Sequence, residues 1–135
     1  SNIELFLNYC ERFYDRQFIT RDHVNKGILL RFEELLDEYF NSDYPSTLGI
    51  PTVSYCADQL HLSSNYFGDL IKKETGKSPQ EYIQSKLVNK AKDMLFDKDR
   101  SINEVAYELG FKYPQHFSRF FKKIVGRSPN EFRNN

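Results

Sequence analysis

The chain contains an internal repeat, and this feature limits its possible folds more than any other. The stretch YFGDLIKKETGKSPQEY is followed about fifty residues later by HFSRFFKKIVGRSPNEF. A repeat of this kind indicates one supersecondary unit present twice, so the fold must accommodate two similar bodies. The matched positions are Phe67 and Phe117, Lys72–Lys73 and Lys122–Lys123, Gly76 and Gly126, and Ser78–Pro79 and Ser128–Pro129.

Local signals around each copy predict helices, and we find no convincing strand. Gly76 suits the left-handed position that ends a helix. The sequence SPQE from Ser78 gives a helix cap, a proline at the first helical position and a glutamate three residues after the cap. The helix that it starts is expected to run from Pro79 to about Phe96. The sequence SINE at Ser101 predicts a second capping box.

A small residue precedes a leucine by three positions at the start of both copies. These pairs are Ala57 with Leu60 and Ala106 with Leu109. A small residue there lets a second helix cross close to the first, as a helix-turn-helix requires. Any three-helix bundle also favours small residues at helix crossings, but two matched units favour the helix-turn-helix. The second turn is expected to be one residue longer than the first.

The part of the chain before Pro45 has a helical pattern of its own. A long helix is expected to open at Thr20 and to present an acidic face opposite its apolar stripe. The stretch NSDYPSTLGIP then interrupts the pattern with two prolines and a glycine, which predicts a linker. The apolar stripe comprises Val24, Ile28, Leu29, Phe32, Leu35, Leu36, Tyr39 and Phe40.

These patterns together predict an all-α fold of two helix-turn-helix subdomains joined by a long linker helix and preceded by an N-terminal helical arm. The predicted boundaries are 1–44 for the arm, 45–51 for a linker and 52–134 for the tandem unit. Within the tandem unit they are 52–78 for the first motif, 79–98 for the linker helix and 101–134 for the second motif.

Charge divides unevenly along a chain whose formal net charge is zero. Residues 1–50 hold five Lys or Arg and nine Asp or Glu, so the rest of the chain carries the balancing positive charge. This asymmetry indicates an anionic partner for one half only.

Cys10 and Cys56 are expected to be free thiols in a reducing cytosol, and no apolar run is long enough to span a membrane. Because the chain opens with Ser1 and no Met, we expect further protein upstream.

Two stretches carry a family resemblance that covers roughly residues 52–134. INEVAYELGFKYPQHFSRFFKKIVGRSPNEFR and LIKKETGKSPQEYI resemble the two motifs of the DNA-binding region in the AraC/XylS family of bacterial transcription regulators. The resemblance implies a cytoplasmic regulator, by family habit an activator, with an upstream ligand-sensing domain that is often cupin-like. It further implies that residues 3–41 supply helices for a homodimer. The residues expected at the dimer contact are Ile28, Phe32, Leu35, Leu36 and Tyr39.

In the second motif, Gln115 and Arg119 are four residues apart and are expected to face away from the aromatic side of the helix. Glutamine pairs with adenine and arginine grips guanine through two hydrogen bonds. The family reads bases at these positions, although both residues would also suit an ordinary exposed surface. The residues expected to contact the DNA backbone in this motif are Lys112, Tyr113, His116, Ser118, Lys122, Lys123 and Arg127.

The first motif is electrically weaker on its expected reading face. Asn65, Gly68 and Asp69 are the candidate base contacts, and Ser64, Lys72 and Lys73 are the candidate backbone contacts. A lysine pair alone is usually a solvated surface. Asp69 could accept from cytosine but also repels phosphate. Strong base reading by this motif is therefore in doubt, and Asp69 could instead reject wrong sites.

The linker helix supports one overall interpretation. The helix expected from Pro79 to about Phe96 has eighteen residues and would be about 27 Å long. This length is suitable for placing two recognition helices in successive major grooves, which are about 34 Å apart. We therefore expect a sequence-specific regulator of double-stranded DNA that needs no cofactor or metal and is not an enzyme. The alternative is a homodimerising module that contacts RNA polymerase or another protein and binds DNA weakly and without sequence preference.

Overall fold

The computed structural model describes residues 21–134. In this range all regular structure is helical, which confirms the predicted all-α fold. The helices are α1 (Arg21–Asn41), α2 (Tyr44–Leu48), α3 (Val53–Gln59), α4 (Ser64–Thr75), α5 (Pro79–Leu95), α6 (Ile102–Glu108), α7 (Pro114–Val125) and α8 (Pro129–Asn134). The first helix-turn-helix is α3–α4, the second is α6–α7, and α5 joins them.

Each of the two turns is closed by a backbone hydrogen bond at the equivalent position. The Leu62 amide donates to the Ala57 carbonyl at 2.9 Å, and the Phe111 amide donates to the Ala106 carbonyl at 3.0 Å. Both alanines are fully buried, so each pair of helices crosses closely at this point. Lys112 is the additional residue of the second turn, which confirms the predicted difference in length.

Local capping fixes the ends of the helices largely as predicted. Ser78 and Glu81 form both bonds of a capping box at the start of α5. These bonds to Ser78 lower the pKa of the Glu81 carboxyl. Ser101 accepts from the Glu104 amide at 3.0 Å, but the return bond from the Glu104 side chain is missing among the described residues. The second capping box is therefore only half formed.

Helix α1 belongs to the core of the first motif. Phe32 is fully buried, with its ring 4.9 Å from the ring of Phe67 on α4 and 5.1 Å from that of Tyr82 on α5. Leu36 is also fully buried, one helical turn later. Residues 21–44 of the predicted arm are thus packed on the first motif, because their apolar stripe contacts α4 and α5.

Polar contacts align α1 parallel to α5. Three side-chain pairs follow one another at steps of four residues on both helices, which is one helical turn. Matching steps in the same chain direction mean that the two helices run side by side in the same sense. The pairs are Glu33–Tyr82, Asp37–Lys86 and Asn41–Lys90, at 2.5, 3.3 and 3.0 Å.

The segment predicted as a linker contains a short helix. Pro45 is buried at the start of α2, where the missing amide of proline costs no hydrogen bond. Helix α2 packs against α6 of the second motif. The Tyr39 hydroxyl donates to the Gly49 carbonyl at 2.7 Å and ties the end of this segment to α1. The proline that predicted a break therefore begins an element instead.

Candidate nucleic-acid interface

Helix α7 has an aromatic side and a polar side. Phe117 and Phe121 are fully buried one turn apart, whereas Gln115 and Arg119 are exposed. The helical period dictates this arrangement, because residues 115 and 119 lie on one face and residues 117 and 121 on another. Neither Gln115 nor Arg119 has a side-chain hydrogen bond or an ion pair with a described residue. Both side chains are therefore exposed to solvent and accessible to a binding partner.

Three predicted backbone contacts gather at the N-terminal end of α7. The Tyr113 and His116 rings meet edge to face at 5.3 Å, and the Lys112 ammonium lies 5.6 Å from the Tyr113 ring. Tyr113 occupies the cap position without a side-chain cap bond, and Pro114 follows at the first helical position. The helix dipole at this end favours an anion, so the cluster suits a phosphate.

The remaining basic residues lie elsewhere. Lys122 and Lys123 are exposed in the last turn of α7, at the opposite end from Lys112. The guanidinium of Arg127 lies 5.6 Å from the Phe132 ring, and its side chain is half-buried. Ser118 is half-buried as well. The predicted contacts of the second motif thus form two groups along α7, with Arg127 held against α8.

Helix α4 presents a smaller reading face. Asn65 and Asp69 are exposed and Gly68 is half-buried between them, while Ser64, Lys72 and Lys73 are exposed. A Cβ added at Gly68 would meet nothing within 4 Å, so the surface there is open. The structure therefore brings the predicted residues of the first motif to one exposed side of α4.

Asn25 of α1 lies beside this face, and the sequence analysis missed it. Only 4% of Asn25 is exposed, and its side-chain Oδ1 has no hydrogen-bond partner among residues 21–134. Together with Tyr66, Asp69, Leu70 and Lys73 it lines a cleft of about 290 Å³. The flank of α4 that carries Asp69 and Lys73 is therefore bordered by α1.

The register of α1 explains why this contact was missed. The predicted apolar stripe began at Val24, but Val24 is 48% exposed, and Asn25 takes the inward position instead. Residues 25, 29, 32 and 36 follow the helical period, so residue 24 falls one position outside the stripe. Because Asn25 is polar, the hydrophobic pattern of the sequence could not indicate that it faces inward.

The residues predicted to form a dimer contact are engaged within the chain. Phe32, Leu36 and Tyr39 are buried in the core, whereas Ile28 and Leu35 are half-buried against it. The three buried side chains therefore have no free surface to offer to a second chain in this arrangement. The homodimer itself stays a prediction, and residues 3–20 of the predicted dimer segment lie outside the described residues.

Within 21–134, no helix is both long and apolar enough to cross a membrane. The same part of the chain contains no group of three or more His, Cys, Asp or Glu side chains placed to hold a metal ion.

Comparisons with known proteins identify the family. Residues 56–135 match the model of a helix-turn-helix domain family. The chain is 30% identical over 125 residues to the uncharacterized HTH-type transcriptional regulator YtdP of Bacillus subtilis (strain 168), which covers 91% of this chain and 16% of YtdP. It is 34% identical over 77 residues to the HTH-type transcriptional activator RhaS of Escherichia coli (strain K12 / DH10B), which covers 57% of this chain and 28% of RhaS.

A solved structure shows the same architecture. The C-terminal domain of AraT, a response regulator from Geobacillus stearothermophilus, superposes with a TM-score of 0.69 at 28% identity, covering 79% of this chain and 84% of that domain. The chain thus spans well under half of the curated relatives but most of this solved domain. The repeat, the paired helix-turn-helix motifs and these matches agree: the chain belongs to the AraC/XylS family of helix-turn-helix transcription regulators, whose members are DNA-binding proteins rather than enzymes.

Proposed function

We propose that the chain binds double-stranded DNA in a sequence-specific manner, with α4 and α7 as the recognition helices of its two motifs. One observation carries this proposal: α7 buries Phe117 and Phe121 and leaves Gln115 and Arg119 exposed without a described partner. In a helix-turn-helix, the N-terminal residues of the second helix reach base edges in the major groove. Gln115 and Arg119 occupy the first two turns of α7, where such contacts are made.

The chemistry of these side chains assigns them separate roles. Arg119 would donate two hydrogen bonds to O6 and N7 of a guanine, and Gln115 would pair with N6 and N7 of an adenine. Lys112, Tyr113 and His116 would meet a phosphate near the start of α7. Phosphate contacts fix the position of the protein on the duplex without reading sequence.

The second recognition helix of the pair would enter a neighbouring groove. Helix α5 has 17 residues, so it is about 26 Å long. Successive major grooves on one side of a duplex are about 34 Å apart, a distance of the same order as the length of α5. One chain would therefore contact two base patches of different sequence, because the exposed residues of α4 and α7 differ.

The two motifs are expected to contribute unequally. Asn65 would pair with an adenine, and Asp69 would accept from a cytosine at a cost in phosphate repulsion. Residues 52–83 carry three basic and four acidic side chains, whereas residues 101–135 carry six basic and three acidic ones. The second motif would thus supply most of the affinity, and the first motif would add selectivity.

The regulatory setting extends the proposal beyond DNA binding. We propose an activator in the bacterial cytoplasm that responds to a ligand through an upstream domain, acts as a homodimer and contacts RNA polymerase. The name of RhaS as a transcriptional activator supports activation.

Light scattering of the chain at two concentrations tests the dimer. A mass of one chain at both concentrations would contradict dimerisation through residues 1–44.

Substitution of Arg119 tests base reading. A duplex selected from a random-sequence pool by the unaltered chain serves as the specific probe, and a scrambled version of it serves as the non-specific probe. Arg119→Ala should weaken binding to the selected duplex by about 1–3 kcal/mol and relax preference at one base pair. Competition gel shifts at fixed salt measure both effects.

The control is Arg31→Ala, which removes the same exposed side chain from α1 rather than from a recognition helix. It should leave the ratio between selected and scrambled duplex unchanged. An equal loss on both duplexes for Arg119→Ala would contradict base reading by Arg119. Failure of the pool to yield any enriched sequence would favour the alternative of a protein-interaction module with non-specific DNA binding.

A further inference from the structure

Residues 21–51 contact both helix-turn-helix motifs. Helix α1 packs on α4 and α5 through Phe32, and α2 packs on α6. The tandem unit is therefore connected twice, once through α5 and once through this segment. We call residues 21–51 the brace.

The contact with the second motif is made by backbone atoms. Gly110, in the turn between α6 and α7, has a φ of 103°. A Cβ added there would lie 2.8 Å from the carbonyl carbon of Gly49 and 2.9 Å from both the Ile50 nitrogen and the Pro45 oxygen. Backbone atoms cannot rotate away as a flexible side chain can, so the turn and the brace fit only while residue 110 lacks a side chain.

The first motif shows that the turn alone does not require this glycine. His61 occupies the equivalent position and adopts a φ of 58°, also in the left-handed region. His61 is exposed. The same turn therefore accommodates a residue with a side chain in the first motif, where that side chain is exposed. The glycine at position 110 is needed for the close approach to the brace.

A second contact joins the two ends of the brace that face the two motifs. The Tyr39 hydroxyl at the end of α1 donates to the Gly49 carbonyl, and Gly49 is the residue that faces Gly110. The side of the brace that packs on the first motif is thereby tied to the point that touches the second motif. Phe32 of α1 contacts Phe67 of the first motif, and Tyr39 of the same helix holds Gly49, which contacts Gly110 of the second motif.

We propose that the brace sets the distance and rotation between the two motifs, and therefore the separation between the two base patches that the chain accepts on DNA. This inference rests on the proposed function, because it assumes that both motifs contact DNA. With α5 alone, the orientation of the two motifs would depend on a single helix of 17 residues, which can bend. The second connection restricts that movement and makes the chain selective for spacing as well as sequence.

The test compares two glycines of the second motif. Gly110→Ala introduces the clash with Gly49, whereas Gly126→Ala changes a glycine with a φ of 90° and nothing within 4 Å of the added Cβ. Each chain selects duplexes from the same random-sequence pool, and the separations between the two enriched patches are compared. The unaltered chain and Gly126→Ala should each yield one separation. Gly110→Ala should yield the same patches with separations that vary by one base pair or more.

A milder variant covers the case in which Gly110→Ala does not fold, as judged by circular dichroism. Tyr39→Phe removes only the hydroxyl that holds Gly49. It should reduce the preference for the selected separation over one shifted by one base pair by about two- to tenfold, the fold-change of one hydrogen bond. A folded Gly110→Ala with a single unchanged separation, or an unchanged preference in Tyr39→Phe, would overturn the inference. No enrichment by the unaltered chain would contradict the proposed function instead.

Discussion

Replacing Phe32 with alanine tests whether α1 is part of the folded core of the first motif. The Phe32 side chain is fully buried, with its ring 4.9 Å from that of Phe67 and 5.1 Å from that of Tyr82. Truncating a buried phenylalanine removes apolar contacts and leaves a cavity, which lowers the free energy of unfolding by about 3–5 kcal/mol. Whole domains have unfolding free energies of only about 5–15 kcal/mol, so the loss should be obvious.

Urea denaturation followed by circular dichroism measures this loss at two protein concentrations tenfold apart. Leu30→Ala is the matched control, because Leu30 lies on the same helix but is 56% exposed, and its loss should stay within about 0.5 kcal/mol. The Phe32→Ala loss should be equal at both concentrations, since the contact lies within one chain. A loss below about 1 kcal/mol would refute the packing of α1 on the first motif, given the usual range for such a truncation. A loss that depends on concentration would indicate that Phe32 lies in a dimer contact instead.

Three further predictions follow from single side chains. Asn25→Leu should raise the free energy of unfolding by about 1–2 kcal/mol in urea denaturation, because it removes a buried oxygen that has no partner in the described part of the chain; a destabilised variant would contradict this expectation. Burial raises the pKa of the Cys56 thiol from 9.0 to about 11, so in a Cys10→Ser chain Cys56 should resist a thiol reagent at pH 8 until urea is added. Since the folded pKa is the higher one, the stability that the protonated thiol contributes is present below pH 9.0 and is lost as the pH rises toward 11. Lys122→Ala should weaken binding to selected and scrambled duplexes alike and lower the salt slope by about one; an unchanged slope would remove Lys122 from the phosphate contacts.

Signals within one turn of a helix were sufficient to predict the elements of the tandem unit. Ser78 and Glu81 are three residues apart, so both partners of the capping box are visible in four letters of sequence. Gly76 and Gly126 end α4 and α7 in the left-handed conformation, as glycines at such positions commonly do. The outward direction of Gln115 and Arg119 was predictable for the same reason, because it follows from helical period alone.

Contacts between distant parts of the chain were not predictable from such signals. Phe32 looked like part of a dimer stripe because an apolar helix face does not reveal what covers it. The close approach of Gly110 to Gly49 appears only when residues about sixty positions apart are brought together. Asn25 beside Asp69 is a third example, since its burial depends on how α1 docks on α4.

Methylation protection of the selected duplex tests the central claim most directly, because dimethyl sulfate modifies guanine N7 in the major groove. If α4 and α7 enter successive grooves, the bound chain should protect two patches about 10 base pairs apart on one side of the duplex. Arg119→Ala should remove protection from one guanine in one patch and leave the other patch unchanged. A bound complex with no protected major-groove patch, or with only one, would contradict reading by both motifs.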